Sequence, residues 1–295
     1  HDQIFLDATY LKSGCLLIAA SKTHVINWTW ARHETTAAYT ELLRPIAAPL
    51  VAVTDGGQGA QSAIHHCWPT TRIQRCLVHA QRTVRRHTTS NPRTDAGKTI
   101  YRLALKLTGI TDLDHATEWV THLHEFSHTY RVWMNEKTTI RDPASGAYSR
   151  VYTHQRVRAA YQSLLSLHRR DLLFTYLQPP PTTINPDGLA ATTNSLEGGI
   201  NAPIKELARR HRGLSLPHQR TVMDWWLYLH TEVPDDPVKI ARDQRWGQDA
   251  LSTATNLITH DTTATTNDIG APAEYDTAID TSYQHNLGIQ KGWVK

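Results

Sequence analysis

The sequence predicts a mixed α/β fold, and three observations carry that expectation. Short apolar segments with strand-like alternation crowd the first 80 residues, helix-spaced segments separate the later ones, and from about Asn91 to Gln178 the pattern is helical. Ile4, Leu6 and Ala8 alternate with other groups and predict a strand over residues 3–10. Leu16–Ala20 and His24–Trp30 predict two more, joined by a turn at Ser21-Lys22-Thr23. Thr35-Thr36 can cap a helix through Ala37, Ala38, Leu42 and Leu43 that stops near Pro45. Leu50–Thr54 is a short, Val-rich run of the kind buried on both faces, and Gly56-Gly57 ends it. A helix over Gln58–Trp68, a strand over Arg72–Cys76 and a helix over Val78–His87 complete a mixed sheet that begins with a meander.

From Asn91 to Gln178, Tyr101, Leu103, Leu107, Ala116, Trp119, Val120, Leu123 and Phe126 recur at three-to-four spacing. Val157–Leu177 reads as a further amphipathic helix or pair, ended by Gln178-Pro179-Pro180-Pro181. Beyond Glu197, Ile200, Ile204, Leu207 and Ala208 share one helical face, although Pro203 fits only a first turn or a kink. Leu214–His230 predicts another helix, and the Thr-, Asp- and Ala-rich tail past Asn256 is weakly patterned.

Composition narrows the function classes. Hydrophobic residues make up 40 % of 295 residues and charged residues 20 %, an ordinary globular balance. No apolar run approaches the roughly 20 residues of a membrane span, and no signal peptide is visible. Cys15, Cys67 and Cys76 are too scattered for a disulfide framework, so a reducing cytoplasm is expected. The start at His1 suggests a fragment, with room for a preceding recognition module. The net charge of +4 is unevenly spread: Arg72 to Lys106 holds nine Lys/Arg against the single acid Asp95, whereas Thr231 onward holds ten Asp/Glu against five Lys/Arg. A basic middle suits a polyanion, and a solvated helix face would look the same.

Three carboxylates stand out. Asp7 and Asp55 each close a short apolar run, where a side chain is expected to leave a buried strand and meet solvent. Glu197 follows in Asn194-Ser195-Leu196-Glu197-Gly198-Gly199. Phosphodiester chemistry with two divalent ions needs hard oxygen ligands brought from separate segments, and Mg2+ keeps part of its water shell, so two or three carboxylates suffice. Asp7 on the first strand is the natural bridge, with Asp55 beside it and Glu197 closing the site from a helix start. Each alone is equally what a strand end, a turn or a helix N-terminus would carry.

The order Asp7, Asp55, Cys76-Leu77-Val78-His79 and Thr193-Asn194-Ser195-Leu196-Glu197-Gly198-Gly199-Ile200-Asn201 resembles the DDE transposases of bacterial insertion sequences. It is closest to the branch related to Mutator-like and hAT elements. The aspartates lie 48 residues apart and Glu197 lies 142 beyond Asp55, with the helical block in between. The resemblance implies an RNase H-like mixed sheet with an all-helical insertion between the last strand and the catalytic Glu helix. It implies cleavage and strand transfer at element ends, with Asp7, Asp55 and Glu197 as the triad holding two Mg2+ ions, Mn2+ being able to substitute. Cys76 and His79 map onto the family's Cys/His motif, which shapes the site or contacts DNA; two such ligands cannot close a zinc site. Arg72, Arg75, Arg82, Arg85 and Arg86 on one side, and Lys205, Arg209, Arg210 and Arg212 on the other, are expected to follow the DNA backbone.

The expected organisation is an RNase H-like core in residues 1–90 and 182–230, a helical insertion in 91–181 and an acidic extension in 231–295. Expected partners are element-end and target DNA and a second copy of the chain in a dimer or higher assembly, with no membrane, in the cytoplasm at the nucleoid. A domesticated, non-catalytic DNA-binding protein and a nuclease on the same fold are the alternatives.

Overall fold

The computed structural model describes residues 1–141, 145–185, 188–245 and 248, so the weakly patterned tail past Asn256 lies outside the described residues. The chain divides into two units, His1–Pro234 and Asp235–Lys295. In the second, helix α10 (Pro237–Asp243) is capped by the Asp236 carboxylate, which accepts from Val238 N. No described helix is long and apolar enough to cross a membrane.

The first unit is a mixed α/β structure. Its five-stranded sheet comprises β1 (Gln3–Leu11), β2 (Gly14–Ala20), β3 (Val25–Ala31), β4 (Val51–Thr54) and β5 (Arg72–Arg75), in the spatial order β3-β2-β1-β4-β5. The meander β1–β2–β3 is antiparallel; β4 and β5 add to β1 in parallel. Helix α1 (Thr36–Leu43) crosses back from β3, and the Thr35 hydroxyl caps it by accepting from Ala38 N, as its position before the apolar run predicts. Helix α2 (Gln58–Cys67) links β4 to β5, and α3 (Leu77–Thr88) leaves β5.

The sheet is covered on both faces. Ile4, Leu6, Ala52 and Leu17 pack with Tyr39, Leu42 and Ile64 from α1 and α2. Phe5, Leu16, Ile18 and Val53 point the other way, onto Leu196, Ile200, Ile204, Met223 and Leu227. That second cover comes from the short helix α7 (Asn194–Leu196), a π-turn (Glu197–Asn201), α8 (Ala202–Arg210) and α9 (Leu216–Leu229). The Glu197 segment is therefore continuously helical from Asn194. The π-turn reconciles this with Pro203: Ala202 N–H donates to Glu197 O, a five-residue step that shifts the ladder just before a residue with no N–H to give. On α9, Asp224 Oδ1 accepts from both Trp28 Nε1 (2.9 Å) and Trp30 Nε1 (2.8 Å), tying that helix to β3.

A separate core is built by α3, α4 (Asp95–Lys106), α5 (Leu113–Asn135) and α6 (Gln155–Arg169), where Trp119, Leu123, Phe126, Ile100 and Leu164 are buried. The expectation that this stretch is all-helical needs correction. Between α5 and α6 stands a hairpin of β6 (Lys137–Arg141) and β7 (Tyr148–Tyr152), so β5 is not the last strand before Glu197. Its Thr, Ile, Val and Tyr favour extended backbone, but nearly all of it is exposed, so no buried apolar face writes a period into the sequence.

Candidate active site

Strand register brings the two aspartates together. Phe5 pairs with Val53 and Leu6 with Thr54 across parallel β1 and β4, so Asp7 and Asp55 come one step beyond the last rung, on the face of Phe5 and Val53. Asp7 is not at a strand end. Strand β1 continues to Leu11 beside β2, and Asp7 is only 8 % exposed, because the Glu197 helix lies over it. Its Oδ1 accepts from Ala8 N (2.9 Å) and its Oδ2 from Asn201 Nδ2 (2.6 Å). Burial pushes the Asp7 carboxyl up to about 6; the Ala8 amide and His79 oppose this, and the charges of Asp55 and Glu197 add to it. These influences place Asp55, His79 and Glu197 within electrostatic reach of Asp7.

Asp55 is held by the backbone that follows it, with Oδ1 accepting from Gly57 N at 3.0 Å. Gly56 has φ +91°, and a Cβ there would collide with Arg75 Nη1. Arg75 is half-buried and lies against this turn. Its Nε and Nη1 are enclosed without a partner among the described residues, and burial lowers its proton affinity while Asp55 supports it.

Glu197 faces Arg82 and His79. Arg82 Nη2 is 3.3 Å from Oε2, and His79 Nδ1 is 3.6 Å from Oε1. The neighbouring motif is one connected unit. Cys76 Sγ accepts from Thr193 N (3.4 Å) and Thr193 Oγ1 (3.3 Å), and Thr193 Oγ1 lies 3.4 Å from Glu197 Oε1. Burial alone would push the Cys76 thiol up, but hydrogen bonds from His79 and Thr193 outweigh it and hold the thiol below its usual range. Cys76 in turn raises His79 against the opposing effect of burial, with Glu197 and Asp55 assisting. Cys76 and His79 thus brace the Glu197 segment against the end of β5.

Two neighbours went unpredicted. Asn201, buried four residues after Glu197, ties the π-turn to Asp7, and its Oδ1 lacks a partner among the described residues. The i, i+4 spacing from Glu197 was the available signal. Glu34, half-buried, accepts from Tyr39 OH (3.2 Å); burial raises its carboxyl and nearby Asp55 raises it further. It precedes a helix cap, and nothing local marks it out.

Of the expected basic residues, Arg85 and Arg86 on α3, and Lys205, Arg209, Arg210 and Arg212 at the other rim, are exposed. Arg209 and Arg210 both pair with Glu206 at 2.8 Å, and Arg72 Nη1 donates to Gln178 O.

Among the described residues, no group of three or more His, Cys, Asp or Glu side chains is already gathered as metal ligands. The donor chemistry nonetheless fits a hard cation. Asp7 and Asp55 are neighbouring oxygen donors whose mutual repulsion a dication would relieve, and Glu197 adds a third carboxylate within electrostatic reach of Asp7.

Residues 24–140 match the family model described as transposase, Mutator family. The matched stretch contains Asp55, Cys76 and His79, and the resemblance to an insertion-sequence transposase holds there. No curated protein matches the chain.

Proposed function

We propose that this chain is the catalytic core of an insertion-sequence transposase that cleaves DNA at element ends and transfers the freed strand, with Asp7, Asp55 and Glu197 as ligands for two Mg2+ ions. One observation carries the reading: Asp7 within β1 and Asp55 just past the end of parallel β4 stand at one level, beneath the helical segment that bears Glu197. The Mutator-family match over residues 24–140 supports the reaction class. A mixed sheet with one acidic group within β1 and another just past the end of the neighbouring parallel strand β4 supports an RNase H-like core in 1–90 and 182–230. The packed block of α4 to α6 supports an insertion in 91–181, and 231–295 is an acidic extension.

When bound, Mg2+ supplies Lewis-acid polarisation of the scissile phosphate and an acidified attacking oxygen. The chain's own residues set the stage. Asn201 and the Ala8 amide fix the Asp7 oxygens, and the Gly57 amide fixes Asp55. Arg82 and His79 hold Glu197 and present positive charge where a phosphodiester must approach. Water first adds to phosphorus as the bond to the 3′ oxygen breaks, leaving a 3′-hydroxyl and a 5′-phosphate. That hydroxyl then attacks a target phosphodiester, and one P–O bond forms as another breaks. Two ends react together, so a dimer or higher assembly on DNA is part of the proposal, acting at the nucleoid.

The test is Mg2+-dependent nicking of DNA carrying element ends by the wild type and by Asp55→Asn. Wild-type activity that disappears in the variant supports the reading. Nicking without joining points to a nuclease on the same fold, and DNA binding without cleavage by the wild type points to a non-catalytic binder.

A further inference from the structure

The β6–β7 hairpin is the one described strand pair outside the main sheet, and the site does not use it. Its register pairs Lys137 with Tyr152, Thr139 with Arg150 and Arg141 with Tyr148. Directly paired residues share a face, so three cations, two tyrosines and a threonine form one surface. Neither strand contains Asp or Glu. All six side chains are exposed except Tyr152, which is half-buried. The opposite face exposes Ile140 and Val151, which a lone two-stranded ribbon cannot cover.

The ribbon is anchored at its root. Trp133 stacks on His154 with ring centroids 3.5 Å apart, His154 Nε2 lies 2.9 Å from Glu136 Oε2, and Thr153 N donates to Glu136 O. The Glu136 carboxylate is thereby engaged. Arg158 lies over the Tyr152 ring at 4.0 Å and Lys137 at 5.1 Å, which keeps the cations arrayed. Arg156, just past β7, donates to the carbonyls of His87 and Arg86 at the end of α3. Helix α3 carries Arg82, at Glu197, and exposed Arg85 and Arg86. Arg82 and Arg86 are about 6 Å apart along its axis. A basic track therefore runs from the carboxylates along α3 to the foot of the hairpin.

We propose that the Lys137/Arg141/Arg150 face of this hairpin binds duplex DNA outside the catalytic site. A two-stranded ribbon fits the major groove, about 12 Å wide. The cations meet phosphates on either side, and the tyrosines offer hydroxyls and flat apolar surface between them. The proposal rests on the DNA-processing reading above and adds a contact surface to it.

The experiment measures binding of the full chain to a labelled random-sequence duplex over a salt series. It compares wild type with the triple variant Lys137→Ala, Arg141→Ala, Arg150→Ala. Each phosphate contact contributes about 0.9 to the slope of log affinity against log salt, so the triple variant should have a slope shallower by about 2 to 3. Thr139→Glu, which only adds a negative charge to the same face, should weaken binding in the same direction. A triple variant with the wild-type slope and affinity overturns the proposal, and if Arg85→Ala with Arg86→Ala still loses affinity, the proposed function stands without the hairpin. A wild type with no salt-dependent DNA binding overturns both.

Discussion

Asp7→Asn should stabilise the protein. The Asp7 carboxyl titrates near 6 in the fold and near 3.8 when unfolded. Its folded pKa is raised, so its stability contribution is complete below pH 4 and is lost as pH rises through 6. A shift of about two units corresponds to roughly 3 kcal/mol at pH 8. Asparagine has the same shape and carries no charge. Its oxygen can go on accepting from Ala8 N, and once the Asn201 amide turns over its own amide can donate to Asn201 Oδ1, which has no partner among the described residues in the wild type. Urea denaturation at pH 8 should show the variant more stable by about 3 kcal/mol, or about 6 to 12 °C in Tm for a unit of this size. The advantage should shrink to about half near pH 5 and vanish below pH 4. Millimolar Mg2+ should narrow the gap at pH 8 by stabilising the wild type alone. A variant no more stable than wild type at pH 8, or an advantage independent of pH, would refute the account of Asp7 as a buried, repelled carboxylate.

Other expectations rest on different contacts. Gly56→Ala combines a positive φ with a collision against Arg75, so it should cost at least about 1 kcal/mol in denaturant. Adding Arg75→Ala should recover part of that loss, a non-additivity readable in a double-mutant cycle. Asp224→Ala leaves two indole donors unmatched and should cost about 2 to 4 kcal/mol, with altered tryptophan fluorescence reporting loosened contact between α9 and β3. Asn201→Ala removes the tether on Asp7 and should lower the rate of Mg2+-dependent nicking by more than it weakens DNA binding; equal losses in both would count against a positioning role.

Much of the fold was legible because buried strands write their period into the chain. Ile4, Leu6 and Val53 announced β1 and β4, and Thr35 announced the start of α1 where its hydroxyl caps it. The exposed hairpin left no such period, so its β-favouring residues passed unnoticed inside a helical stretch. At the site, residue type and order identified Asp7, Asp55 and Glu197 as candidates, and the match over 24–140 bears out the family resemblance on which they were grouped. The surroundings were beyond reach. That Asp7 is covered depends on a helix some 190 residues later. That Arg75 is enclosed depends on Gly56 lacking a Cβ. The π-turn resolves the apparent conflict of Pro203 with a helix by a shift of hydrogen bonding that no local propensity records.

The two covers of the sheet also have a consequence during synthesis. The face with Ile4, Leu6 and Ala52 can be closed as soon as α1 and α2 leave the ribosome. The face with Phe5, Leu16, Ile18 and Val53 has to wait for residues 196–227. For most of its translation the nascent chain carries a bare apolar sheet surface, a hazard for association with other chains. Asp7 lies in that surface, and until the late helices arrive its carboxylate is hydrated and charged. The residue that strains the finished fold thus keeps the unfinished one wet.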